Sequence, residues 1–276
     1  MEAIEKEDYV EPTCLLCEQP YGAEPQLKAV PQQRIMEKVD DYMSRRDYAG
    51  VERHLLYWLG EAKLGHDQKG ELMIRNELVG HYRKVQNREQ AFAHAAAAEA
   101  LIDAMGYEGS ISAGTTYVNA ATAYNAFGEN ERALQLFEKA RKTYEAIPSL
   151  KPALLGGLYN NMALTLVSLG RFSEAYALYG KAIETMGKAE YGALEQAITY
   201  LNLADAVEAE RGAEEAADAI DGYLEKAEAL LNTPDVPHDG YYAFVCEKCA
   251  PTFSYYGWFL FANELNERAK AIYERT

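Results

Sequence analysis

Four cysteines fall into two pairs of identical spacing, Cys14 and Cys17 in TCLLCEQP and Cys246 and Cys249 in VCEKCAPTF. Two thiolates at this spacing make half of a tetrahedral zinc site, and two such pairs complete one with four sulfur ligands. The same spacing suits a dithiol redox pair, or two small apolar residues on one buried helix face. Three readings therefore stand open: a structural zinc held by Cys14, Cys17, Cys246 and Cys249, reduced cysteines without metal, and a redox pair. The last is weakened by the lack of a thioredoxin-like order of strand and helix around either motif. No other residue set argues for catalysis. The histidines, His54, His66, His81, His94 and His238, are scattered, and the chain has no H-E-x-x-H, phosphate-binding glycine loop or Gly-x-Ser-x-Gly elbow. Runs such as EAERGAEEAAD read as solvated helix faces. The expectation is a non-enzyme that requires no cofactor.

Asp and Glu number 43 against 27 Lys and Arg, a formal charge of −16. Such a surface repels phosphate backbones and anionic lipid, so neither nucleic acid nor membrane is an expected partner. No apolar run approaches the ~18–20 residues that span a bilayer. The start, MEAIEKEDYVEP, is acidic and lacks the basic-then-apolar order of a secretory signal, which makes the cytoplasm the expected location.

Any site must be positioned by the elements around it, and these are set by an internal repeat. QNREQAFAHAAAAEAL from Gln86, GENERALQLFEKARKTY from Gly128, GRFSEAYALYGKAIETM from Gly170 and GAEEAADAIDGYLEKAE from Gly212 start 42 residues apart. Ala91, Ala133, Ala175 and Ala217 fall in register, as do Ala98, Ala140 and Ala182, with Phe137 and Tyr179 between them. Small, aromatic, small at i, i+4, i+7 is one helical stripe, in which small residues admit a neighbouring helix and the aromatic fills the gap. Each stripe follows a second helical segment sharing Tyr-x-Asn-x-Ala: Tyr117, Asn119 and Ala121; Tyr159, Asn161 and Ala163; Tyr200, Asn202 and Ala204. The unit is a helical hairpin, with a glycine at the turn supplying positive φ.

This pattern resembles the tetratricopeptide repeat, whose positions 4, 8, 11, 15, 20, 24 and 27 are filled by Tyr117, Ala121, Tyr124, Gly128, Ala133, Phe137 and Ala140. The usual repeat has 34 residues, so the longer period implies longer helices, as in the kinesin light chain variety. The resemblance covers residues 32 to 276 and implies an all-α, right-handed α-α superhelix of about six hairpins, at about 32–70, 71–112, 113–154, 155–195, 196–236 and 240–276. Residues 1–31, with Pro12, Pro20, Pro25 and Pro31, read as an extended arm that could carry Cys14 and Cys17 to the far end of the stack or to another subunit.

In this family the first helix of each hairpin lines a concave groove, which implies a non-catalytic scaffold or adaptor for a protein or peptide segment. The occupant could also be the protein's own N-terminal arm or that of another subunit. A peptide- or metal-responsive sensor is the alternative. The groove residues implied are Asn76, Asn119, Thr122, Asn160, Asn161 and Asn202. Their amides either form a ladder for a peptide main chain or bridge neighbouring hairpins. Lys and Arg are missing from the groove positions of the third to fifth units, leaving Arg83 and Lys84 as the only candidates for a carboxylate clamp. The last unit is dense in aromatics from Tyr241 to Phe261. They form either a terminal cap or a binding patch, with Tyr255 and Trp258 facing the groove end.

Overall fold

The computed structural model describes residues 27–234 and 236–275, which form twelve α-helices and, among the described residues, no strand. They pair as antiparallel hairpins: α1 (Gln32–Ser44) with α2 (Tyr48–Leu64), α3 (Gln68–Lys84) with α4 (Arg88–Met105), and α5 (Ile111–Ala126) with α6 (Asn130–Glu145). Then come α7 (Pro152–Ser168) with α8 (Phe172–Met186), α9 (Ala193–Arg211) with α10 (Ala213–Leu231), and α11 (Gly240–Tyr255) with α12 (Phe259–Tyr273). From α1 to α10 each helix packs on the next, as α11 does on α12, and from α3 to α11 the odd-numbered helices also pack on one another. That asymmetry curls the stack into a superhelix with the odd helices on its inner side.

Local chemistry fixes the ends. Asp47, Ser110 and Asp239 accept hydrogen bonds from the first-turn N–H groups of α2, α5 and α11, satisfying donors that have no intrahelical partner. Asp67 does more: one carboxylate oxygen caps α3 through Gly70 N and the other accepts from Val30 N at 2.9 Å. With Lys28 N donating to Gly65 O, this ties residues 28–30 to the turn between α2 and α3. Cys14 and Cys17, and the zinc or arm readings that depend on them, lie outside the described residues.

The repeat stripe is the core. Tyr117, Ala121, Ala133, Phe137 and Ala140 are all fully buried. Gly114 and Gly156, one period apart, sit against Tyr144 and Met186 of the second helix, where an added Cβ would clash with either side chain. The apolar interior falls into two clusters that meet at α9. Leu203 and Ala206 face back toward the fourth hairpin, while Leu194, Ile198 and Leu201 belong with the last two. Tyrosine hydroxyls bound to carboxylates span several seams: Tyr82 to Glu52 at 2.8 Å, Tyr159 to Glu145 at 3.0 Å, and Tyr176 to Glu210 at 2.8 Å. Most ion pairs, by contrast, stay within one helix at i, i+3 or i, i+4.

The aromatic-rich last hairpin divides. Tyr242, Phe253 and Phe261 are buried and close the core, whereas Phe244, Phe259 and Leu260 remain exposed. Pro251 lies inside α11. No helix among the described residues is long and apolar enough to cross a membrane.

Candidate functional site

The inner face carries the amides that the repeat pattern singled out, and their pairing follows one rule. Asn119 of α5 donates from Nδ2 to Asn76 Oδ1 of α3 at 3.0 Å, and Asn202 of α9 donates to Asn160 Oδ1 of α7 at 2.9 Å. In each case the residue at the sixth repeat position reaches back to the fifth position of the preceding hairpin. Asn76 is saturated as a donor, since Nδ2 also reaches Leu72 O and Thr116 Oγ1, both at 3.0 Å. Thr122 turns its hydroxyl onto Val118 O of its own helix. The third and fourth hairpins break the rule. Asn161 holds the sixth position, but the fifth position before it is Val118, which has no side-chain acceptor. The half-buried Asn161 amide consequently has no hydrogen bond among the described residues, and nearby on α5 the buried Asn125 Oδ1 also lacks a donor. Four of the predicted amides thus act as bridges, and the middle of the groove keeps an unengaged one.

The C-terminal end of the groove is acidic. At the C-terminal end Tyr255 OH, from a residue 70% exposed, donates to Glu208 at 3.0 Å. Tyr256 OH contacts Asp205 at 3.0 Å and Glu208 at 2.8 Å, and Tyr241 OH contacts Glu195. One hydroxyl carries one proton, so Tyr256 cannot donate to both carboxylates at once. Burial raises the Asp205 pKa, against the lowering effect of the Tyr256 bond, and the nearby Glu208 charge adds to the rise. Trp258 sits half-buried at the α11–α12 turn, 5.8 Å from the Phe253 ring. At the other end, between α3 and α5, a cavity of about 490 Å³ lies beside the Asn76–Asn119 bridge, lined by Met73, Glu77, Tyr107 and Thr115.

The histidines are placed for packing. Tyr82 stacks on His94, the rings 5.5 Å apart and 16° from parallel, and His94 Nδ1 lies 3.3 Å from Arg75, which pairs with Glu71. Burial, then the charges of Arg75 and Lys63, pull the His94 pKa down to about 4. His54 touches Ile35 O, and His238 stacks on Tyr242.

Cys246 and Cys249 lie one helical turn apart on the buried face of α11, both essentially inaccessible. Burial pushes both thiols up, that of Cys249 to about 12. These are the conditions of cysteines packing as small hydrophobes rather than of thiolate ligands. No group of three or more metal-binding side chains is assembled among the described residues. In native protein Cys246 and Cys249 are expected to resist iodoacetamide and to label only on unfolding, as read by mass spectrometry of the peptide around them. Labelling in the folded state at the rate of a free thiol would contradict this placement.

Residues 114–147 and 156–189 match the tetratricopeptide repeat family. The chain carries tetratricopeptide repeats. Solved structures agree on the fold. A putative kinesin light chain from Podosopora anserina with nearly identical TPR-like repeats is 20% identical, with a TM-score of 0.50, over 73% of this chain and 94% of that one. NprR, solved with its cognate peptide NprX, gives a TM-score of 0.55 at 14% identity over 88% of this chain and 68% of that one. A Rap protein complexed with Competence and Sporulation Factor gives 0.50 at 14% identity, over 88% and 74%. No curated protein matches the sequence significantly. The matched tetratricopeptide units are the third and fourth hairpins, the second of which carries Asn161.

Proposed function

We propose that the protein is a non-catalytic scaffold that holds an extended peptide or protein segment along the inner face of its tetratricopeptide superhelix. The observation that carries this is Asn161: a half-buried amide at the middle of the inner face, left unbridged because Val118 stands where the two bridged seams have Asn76 and Asn160. An amide offers a donor and an acceptor together, which matches the main chain of an extended segment whatever its side chains. The peptide-bound states of NprR and the Rap protein lend support at the level of the fold.

Selection from a random peptide library displayed on phage, against the full chain, tests the reading. Enriched peptides are expected to slow hydrogen exchange in α5, α7 and α9, and Asn161→Ala to weaken them about tenfold without loss of thermal stability. Enrichment of peptides that protect only the even-numbered helices, or no enrichment at all, would remove the proposal.

A further inference from the structure

The first hairpin breaks the succession of inner-face contacts, since α1 packs on α2 but hardly on α3. The gap is a cavity of about 650 Å³. Its floor is apolar, with Met36, Val39 and Met43 of α1 above Val51 and Leu55 of α2. Methionine side chains adapt to varied shapes.

The rim is charged, and two of its groups, Glu77 and Arg83, are unpaired among the described residues, while a third, Lys84, lies over the Tyr48 ring. Glu77 of α3 has no hydrogen bond or ion pair among the described residues, and its one charged neighbour is the carboxylate of Asp40 across the gap. Burial and that like charge both raise its pKa, so the fold holds a carboxyl in a place that suits a cation. Arg83 stands at the opposite end of the rim, half-buried, with no carboxylate partner among the described residues. His81 supplies an independent sign of a missing occupant. Only 7% exposed, it lines the same cavity, and its buried Nδ1 has no partner. Buried polar atoms in native proteins are paired in the great majority of cases.

Glu77 and Arg83 are six residues apart on one helix, about 9 Å along its axis. The first and third residues of an extended stretch lie two steps apart, about 7 Å, and their long side chains cover the remaining distance. We propose that the gap between α1 and α3 is a peptide subsite for a three-residue stretch of alternating charge, with a cationic side chain at Asp40 and Glu77, an apolar side chain over Met36 and Met43, and a carboxylate at Arg83. A main-chain group of the occupant partners His81. The subsite rests on the peptide-binding reading above and names the peptide chemistry that one end of the groove selects.

Calorimetric titration of the full chain with Ac-Ser-Lys-Leu-Glu-Ser-NH2 tests it, beside Ac-Ser-Gln-Leu-Gln-Ser-NH2 and Ac-Ser-Lys-Gly-Glu-Ser-NH2. The first peptide is expected to bind at least tenfold more tightly than either control, because it alone combines the apolar side chain with two charge-assisted contacts. Glu77→Gln and Arg83→Gln are each expected to weaken it about tenfold. Glu77→Gln is also expected to raise Tm, since it removes a half-buried, unpaired carboxylate, so lost affinity cannot be traced to misfolding. Binding within twofold across the three peptides, or unchanged binding to Glu77→Gln, overturns the subsite. Library-selected peptides that protect α5, α7 and α9 but ignore Glu77→Gln and Arg83→Gln remove the subsite and leave the groove reading standing. Absence of any selected peptide removes both.

Discussion

Phe137→Ala is expected to lower the free energy of unfolding by about 3–5 kcal/mol. The ring is fully inaccessible and lies between Ala133 and Ala140 on the stripe of α6 that faces α5, where both alanines are also fully buried. Small residues above and below let the helices approach but give them nothing with which to fill a void, so the cavity left by the ring cannot collapse cheaply. Because each hairpin touches only its neighbours, the loss at the third hairpin also weakens the link between the two before it and the three after it. Urea denaturation followed by far-UV circular dichroism measures the effect. A loss under about 1 kcal/mol would show that this column does not carry the stack.

Acid is expected to weaken the first half of the molecule through His94. Its pKa falls from the ordinary 6.5 to about 4 in the folded chain, first by burial and then by the charges of Arg75 and Lys63. Below pH 6.5 the unfolded chain takes up a proton that the folded chain refuses. Stability that is complete above that value is thus lost as pH falls toward 4, by an amount on the order of 1–3 kcal/mol once solvent screening is allowed for. Burial also lowers the pKa of His81, which acts in the same direction. The raised carboxyls of Glu77, Glu99, Glu195 and Asp205 act in the opposite one. The His94 contribution is isolated by comparing wild type with His94→Gln in urea melts across this range. The difference between the two should shrink as pH falls. A difference that stays constant with pH would mean that the imidazole titrates normally in the fold.

The fold was legible because the middle hairpins repeat the same physical solution at constant spacing. Gly128, Gly170 and Gly212 all adopt left-handed φ, at 80°, 71° and 82°, and mark the turns in the sequence itself. The first two hairpins place Arg46 and Gln86 in the same conformation, at 56° and 58°, so no glycine announced them and their outlines were fainter. The site was legible by position only. Repeat register put Asn76, Asn119, Asn160, Asn161 and Asn202 on the inner face. Whether an amide bridges depends on a second residue one hairpin earlier, and the contrast between Val118 and Asn160 became meaningful only when the seams were seen. The gap between α1 and α3 left no trace in the sequence, because Met36, Val39 and Met43 read as ordinary core. Burial of Cys246 and Cys249 on one helix face was one of three readings that their spacing left open.

Several polar contacts across the seams of the superhelix are phenol-to-carboxylate bonds, as in Tyr82–Glu52, Tyr159–Glu145 and Tyr256–Glu208, beside the ion pairs Arg88–Glu129 and Arg132–Glu99 between the second and third hairpins. A neutral donor on an anion gains little from long-range attraction, so dissolved electrolyte has little to screen. Those phenol contacts therefore lose little as ionic strength rises, although the surface carries a formal charge of −16. The attraction of that surface for a basic segment is screened in the ordinary way. Rising salt slows the encounter with such a partner while these seam contacts persist.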